Sequence, residues 1–276
     1  MRNEEFLQQF NKRLESLIKT TNKVEQAMNY SLLSSGKRIR PLLIKTACED
    51  MMVDADLIWH PALAIELFHT ASLIHDDLPQ IDDSPLRRGR PSCHVVYGND
   101  FAILAGDGLM LKSFEVLSQS PADPRVKTLL LTHFSRATYE VLIGEALDVE
   151  YTGKSQKLSE ILKMYSKKTG GLFSFCTASG AILSERFQLI EKFTKLGSVL
   201  GIWFQVVDDL KDALSDEKAA GKTVGRDKML GKPTVVSIFG VHKAKDFADK
   251  LLEGVLNRFD EYGMNKTVDF LKSLAV

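Results

Sequence analysis

The sequence predicts an all-α protein: one large helical bundle, with all 276 residues in a single domain. Three observations predict it. The eight prolines are concentrated between Pro41 and Pro124, and none occurs between Pro124 and Pro233. Proline costs about 3 kcal/mol inside a helix, so that long span is permissive for long helices. Apolar residues recur with the 3.6-residue helical period. Sustained period-two alternation is missing, and Asp107-Gly108, a turn pair elsewhere, sits in a helical context.

Along the chain, residues 6–17 carry apolar side chains at 6, 7, 10, 14 and 17, one face of a helix. Residues 61–74 and 198–207 are apolar on nearly every face, which suits helices at the centre of a bundle. Residues 161–165 and 247–259 read as amphipathic helices. Loops are expected at 82–92, 120–124, 151–156 and 215–231. None has the composition of an interdomain linker, and no internal repeat is present.

Thirty-six basic residues balance 36 acidic ones. A net charge of zero excludes a generalised basic surface for nucleic acid or anionic lipid. Cys48, Cys93 and Cys176 are an odd number at wide spacings, fitting neither a disulfide framework nor a zinc site and pointing to a reducing compartment. The N-terminus is charged and amphipathic, unlike a signal peptide. The longest nearly apolar stretch, 196–207, falls well short of the roughly 20 residues that span a bilayer. A cytoplasmic protein without a membrane span is expected.

Two segments carry chemistry. In Ser72-Leu73-Ile74-His75-Asp76-Asp77-Leu78-Pro79-Gln80-Ile81-Asp82-Asp83 an apolar helix ends in four carboxylates. Like charges repel, and acids at a helix C-terminus also face the negative end of its dipole. The arrangement calls for a cation. Three arginines follow at once, in Leu86-Arg87-Arg88-Gly89-Arg90-Pro91. The second segment, residues 201–212, again ends in acids: Gly201, Gln205, Asp208 and Asp212 share one helical stripe. Lys222, Arg226, Lys228 and Lys232 follow it. Oxygen-only ligands beside basic loops favour Mg²⁺ shared with an anionic ligand. No calcium loop is present, and Gly221-Lys222-Thr223 resembles only the tail of a phosphate loop. Further basic elements are Gly36-Lys37-Arg38-Ile39-Arg40-Pro41 and Lys167-Lys168-Thr169-Gly170-Gly171, whose paired glycines should break or kink a helix.

With these segments in this order, the chain resembles the trans-isoprenyl diphosphate synthases, the farnesyl and geranylgeranyl diphosphate synthase family of bacterial short-chain type. The resemblance runs over about residues 31–233 through GKRIRP, DDLPQID, LRRGRPS, LAGD, KTG, FQVVDDLKD, GKT and GKPT. It implies a helical bundle around a deep central cavity, usually homodimeric. It also implies head-to-tail condensation of an allylic diphosphate with isopentenyl diphosphate, using several Mg²⁺ ions bound with the allylic substrate. By motif it implies metal ligation by Asp76, Asp77, Asp82, Asp208, Asp209 and Asp212. Arg87, Lys168, Lys222 and Lys232 would hold the allylic diphosphate; Lys37, Arg40, His69 and Arg88 would hold isopentenyl diphosphate. Lys168, Thr169 and Gln205 would be catalytic, with Thr169 and Gln205 lining the path of the cationic intermediate.

Product length in this family depends on residues just before the first acidic motif. Ala71 and Ser72, the fifth and fourth before Asp76, are small where farnesyl-producing relatives usually place an aromatic ring; Phe68 lies a further turn down. The resemblance therefore implies a C20 product, with C15 as the alternative. Two departures stand out. Gly144-Glu145-Ala146-Leu147-Asp148 carries Glu145 where relatives often have glutamine, and the C-terminal tail is poor in basic residues. A class I terpene cyclase shares the first acidic motif, but Asp212 and Asp216 stand here in place of its hydroxyl and glutamate. A non-catalytic partner subunit would be expected to lose one acidic motif, and both are intact.

Overall fold

The computed structural model describes residues 1–214 and 231–275. Twelve helices account for most of them. Helix α1 (Asn3–Leu17) buries Phe6, Phe10 and Leu14, the stripe that its periodicity marks. After it come α2 (Lys23–Leu32), α3 (Ile39–Asp50) and α4 (Ala55–Asp76). Asn22 caps α2 by accepting from the Glu25 N–H, and Asp54 caps α4 by accepting from Asp56. Helix α4 is buried on nearly all sides, and even its internal Pro61 is tolerated there.

Helix α4 corrects one expectation. At 22 residues it is longer than the stretch at 196–207, its most apolar 18 residues have a mean hydropathy of 1.3, and by length and composition it could cross a bilayer. Burial of 72% of that stretch within the bundle makes it a core helix.

The expected loop at 82–92 holds a tight hairpin, β1 (Leu86–Arg87) against β2 (Arg90–Pro91). Arg88 and Gly89, at its tip, both have positive φ, 54° and 74°. Two left-handed residues make the kind of turn that matches strand twist. No Asn-Gly or Asp-Gly pair announces it, because here an arginine takes the first left-handed position.

Helices α5 (Cys93–Tyr97), α6 (Asn99–Ser118) and α7 (Pro124–Tyr151) follow, with Asp123 capping α7 ahead of Pro124. Then come α8 (Leu158–Lys168) and α9 (Gly170–Leu183), separated at Thr169 where the paired glycines are expected to break a helix. Helix α10 (Ile190–Leu214) enters from a short 3₁₀ turn at Phe187–Leu189. Helix α11 (Val235–Glu261) starts with a Thr234/Ser237 capping box and bends at Gly240, where φ is 75°. Helix α12 (Asn265–Leu274) docks on α3, its N-terminus held by Asp50, which accepts from the Lys266 and Thr267 amides and the Thr267 hydroxyl.

The main packing runs α4 on α6 and α10 on both α9 and α11. Phe134 on α7 sits at the heart of the core, with Phe68, Phe114 and Phe175 set edge-on around it at 5.0–6.0 Å. Above this cluster the helices diverge, leaving a cavity between α3, α4, α6, α7, α8, α9 and α10.

Candidate active site

The cavity encloses about 730 Å³. Two acidic walls face each other across it. On one wall, Asp76 is the last residue of α4, and the Asp82 amide donates to its carbonyl oxygen at 3.0 Å, closing a turn that brings both carboxylates to the cavity. On the other, Asp208, Asp209 and Asp212 project from α10. Burial, then the charge of Glu145, push the Asp76 carboxyl up to about 8.

Asp77 is placed differently from the metal-ligand expectation. It is buried and off the cavity wall, accepting from Arg87 Nε at 3.1 Å on both carboxylate oxygens and from Arg87 Nη2. Successive helical residues point about 100° apart, and at this helix end that rotation carries Asp77 to Arg87 while Asp76 lines the cavity. Asp77 holds Arg87 in place, and Arg87 lines the cavity. Asp209 lines the cavity while also accepting from the Tyr165 hydroxyl and from Gln205 Nε2 at 3.1 Å.

The lysines form a ladder between the carboxylates. Lys232 Nζ lies 2.7 Å from Asp82 and 2.9 Å from Asp148; Lys168 Nζ lies 2.6 Å from Asp148 and 2.8 Å from Glu145. Burial opposes charge on Lys168, but Glu145, Asp148 and Asp76 hold it well above its ordinary range. Burial likewise works against Asp148, and the two lysines outweigh it, keeping its carboxyl low. Gly144 makes this possible. A Cβ there would stand 2.1 Å from the Lys168 amide nitrogen, so only glycine lets α7 approach the α8–α9 joint this closely. At the same joint, Gly201 on α10 crosses Gly170, where a Cβ would lie 2.3 Å from the Gly170 Cα. That crossing sets the Thr169 hydroxyl to donate to Gln205 Oε1 at 2.8 Å.

A second pocket gathers cationic side chains around Glu66. Lys37, Arg40, His69 and Arg88 line one end of the cavity. Arg40 Nη1 is 3.1 Å from His69 Nε2, while Arg40 Nε is buried without a hydrogen-bond partner. Burial, then the charges of Arg40, Arg88, Arg87 and Arg38, hold His69 well below its ordinary range, so it stays neutral and accepts from Arg40. The pocket rests on Arg38, which sequence reading passed over. Buried at φ 47°, it bridges Glu66 and the carbonyls of Leu32 and Ser34. This anchor leaves Lys37 and Arg40, on either side, to the cavity.

Ser72 and Phe68 form part of the apolar wall below the acids, whereas Ala71 is fully buried off the cavity. A floor role for Ala71 is therefore not what the geometry offers, whereas Ser72 and Phe68 both reach the cavity. Met110, Tyr139 and Leu142 complete this wall. Lys222 lies outside the described residues.

Sequence reading missed Asp148, Glu66 and Tyr165 as members of the site. Asp148 and Tyr165 carry a weak signal, three residues from Glu145 and Lys168 on their helices. Glu66, inside an apolar helix, is a buried charge that calls for a partner.

Among the described residues no three metal-ligating side chains converge into a closed cage. Carboxylates line two facing walls of the cavity, and Glu145 Oε1 is buried there without a hydrogen-bond partner. Hard oxygen donors of this kind fit Mg²⁺ whose remaining ligands are substrate oxygens.

An all-α bundle whose deep cavity sets facing acidic walls beside cationic anion pockets defines a prenyltransferase of the isoprenoid synthase fold. The chain belongs to the polyprenyl synthetase family, whose profile matches residues 21–269. It is 36% identical to a geranylgeranyl diphosphate synthase of Cyanophora paradoxa, over 83% of this chain and 79% of the relative. It is 34% identical to a farnesyl diphosphate synthase of Haemophilus influenzae, over 91% and 87%. It superposes on a geranyltransferase of Helicobacter pylori, solved with magnesium and isoprenyl diphosphate, with a TM-score of 0.87 at 29% identity over 97% and 93% of the two chains.

Proposed function

We propose that the enzyme condenses isopentenyl diphosphate head-to-tail with an allylic diphosphate, and that its principal product is the C20 all-trans prenyl diphosphate. The observation that carries the reading is two distinct anion sites on one cavity. One is acidic and calls for divalent cations; the other, at Lys37, Arg40, His69 and Arg88, is already cationic. A cyclase acting on a single diphosphate has no use for the second site.

Asp76, Asp82, Asp208 and Asp212 would hold several Mg²⁺ ions, with Asp209 tied to Tyr165 and Gln205 beside them. When bound, Mg²⁺ supplies Lewis-acid stabilisation to the departing diphosphate. Arg87, fixed by Asp77, with Lys168 and Lys232 adds permanent positive charge on the same side. As the allylic C–O bond breaks, the Thr169 and Gln205 oxygens face the cation. Arg40 and its neighbours hold the isopentenyl double bond against it, so a C–C bond forms. The proton lost from the isopentenyl carbon passes to the released diphosphate, and no side chain need act as base. The apolar wall excludes water from the cation.

Chain length follows from Ser72. An aromatic ring there would end the cavity; the serine leaves it open to Phe68, one helical turn or about 6 Å further down α4. That extra turn accommodates roughly one more isoprene unit. The test is incubation of the purified protein with Mg²⁺, labelled isopentenyl diphosphate and geranyl or farnesyl diphosphate, with chromatography of the products. A C20 product is expected. A dominant C15 product overturns the chain-length reading, and hydrocarbon released without isopentenyl diphosphate restores the cyclase. Turnover only after a second chain is added marks a partner subunit.

The enzyme acts as a homodimer through α6 and α7. Ile103, Leu104 and Leu111 on α6, with Tyr139, Leu142 and Val149 on α7, form exposed apolar stripes at helical spacing. Tyr139 and Leu142 also line the cavity, so a second copy covering this face would seal its wall. Three buried free cysteines suit a reducing, cytoplasmic setting.

A further inference from the structure

An acid stands inside the pocket assigned to isopentenyl diphosphate, where a negative charge opposes the incoming anion. Glu66 lines the cavity among Lys37, Arg38, Arg40 and Arg88, and is only 2% exposed. A carboxylate taken out of water is costly unless its partners offset the lost hydration. Its partner is Arg38, whose backbone is itself unfavourable. Arg38 is the N-cap of α3 at φ 47° and ψ 40°, a left-handed conformation that non-glycine residues adopt at a cost, and its side chain does not cap the helix. The guanidinium holds it there instead. Nη1 donates to Glu66 Oε1, while Nη2 donates at 3.0 Å to the carbonyls of Leu32 and Ser34. One fork thus ties the end of α2, the turn that follows it and the middle of α4 to the start of α3. One helical turn along α4, His69 accepts from Arg40 at 3.1 Å. Helix α4 therefore fixes the start of α3 at two points. The same turn passes under Arg88, where a Cβ on Gly36 would stand 2.7 Å from Nη1.

We propose that Glu66 is a positioning residue for isopentenyl diphosphate: through Arg38 it holds the left-handed turn that presents Lys37 and Arg40 to the diphosphate. This rests on the assignment of that pocket above and deepens it. The two effects of the Glu66 charge have opposite signs. As a background charge alone, it weakens binding of an anion, and its removal should lower KM for isopentenyl diphosphate. As the anchor of Arg38, it keeps the turn in place, and its removal should raise that KM. The allylic side has its own anchors, Asp77 for Arg87 and Asp148 for Lys168 and Lys232, so the effect belongs to one substrate.

The test compares the wild-type chain with Glu66→Gln, Glu66→Asp and Arg38→Lys, varying isopentenyl diphosphate and geranyl diphosphate separately under saturating Mg²⁺ and recording each melting temperature. Glu66→Gln removes the charge but keeps the shape; Glu66→Asp keeps the charge but withdraws it from Arg38. Arg38→Lys preserves the pairing of opposite charges but loses the fork that reaches the two carbonyls, and it carries the test if a Glu66 variant does not fold. The expected result in all three is a KM for isopentenyl diphosphate raised roughly tenfold, the effect of losing one charge-assisted hydrogen bond. The kcat and the KM for geranyl diphosphate should stay within about twofold of wild type, the pattern of lost binding rather than lost chemistry. An unchanged or lowered KM for isopentenyl diphosphate in Glu66→Gln, or an unchanged one in Arg38→Lys, overturns the positioning role and leaves the prenyl-transfer reading intact. A fall in kcat with both KM values raised alike also overturns it, because Glu66 would then support the bundle in general. No elongated product from the wild type with both substrates overturns the functional reading itself.

Discussion

His69 shows how a single residue at this site links its electrostatic surroundings to stability. Burial, followed by four surrounding arginines, depresses its folded pKa, and Arg40 needs its lone pair. The unfolded chain binds a proton at this side chain near its ordinary 6.5, while the folded chain does not. His69 therefore contributes full stability above that value, and the contribution is lost as pH falls below it. Wild-type denaturation midpoints should decline from pH 6.5 to 5, and His69→Gln, which keeps an acceptor for Arg40, should decline less steeply. Identical slopes would remove His69 from the account. Asp148 acts in a different window. Its carboxyl is held low, so its share of stability is lost only below about pH 4. Asp77 marks what residue-scale reading cannot supply. Adjacent aspartates look equivalent in sequence, but the helical rotation between them sends one to the cavity and the other to Arg87.

At the scale of elements, the site depends on helices brought abnormally close by glycine. In Gly201→Ala the new methyl meets the Gly170 backbone, so α9 and α10 must separate and the Thr169–Gln205 hydrogen bond is lost. Overpacking of this kind costs about 1–3 kcal/mol. The expected outcome is a lower melting temperature and a reduced kcat, with KM for isopentenyl diphosphate unchanged because Arg40 and His69 lie on α3 and α4. A shift in KM alone would mean that the crossing does not position the cation's path. On α4, Ser72→Phe should shorten the product by one isoprene unit, whereas Ala71→Tyr should chiefly destabilise, since Ala71 packs into the core. Unchanged product length in Ser72→Phe would place the floor elsewhere. The helices themselves were legible in sequence. Phe6, Phe10 and Leu14 form the buried face of α1, the paired glycines mark the α8–α9 joint, and of the stripe on α10 Gln205, Asp208 and Asp212 face the site while Gly201 meets Gly170. The hairpin at Arg88 and Gly89 was not legible, because its turn is fixed by what packs around it: Gly36 beneath the Arg88 guanidinium and Tyr30 against Arg90. Nor was the ladder of Asp82, Lys232, Asp148, Lys168 and Glu145, which joins residues up to 150 positions apart.

On the scale of the whole molecule, the net charge of zero conceals strong separation, with acids gathered at two helix ends and bases beside them. An enzyme that generates a carbocation in such a place must also keep water away from it, and the wall at Tyr139 and Leu142 is thin: both residues line the cavity, yet more than 60% of each is exposed. Leu111, two helical turns from Leu104 on the same face of α6, is 74% exposed and does not line the cavity. A charge placed there disturbs the outer face without touching the substrate. On the proposed homodimer, Leu111→Glu should therefore convert dimer to monomer by light scattering. If the second copy seals the cavity, the monomer should also release prenyl alcohol formed by capture of the cation by water, at the expense of elongated diphosphate. A dimer that survives the substitution removes this face from the interface. A monomer that yields no more alcohol than the wild type shows that each chain excludes water by itself.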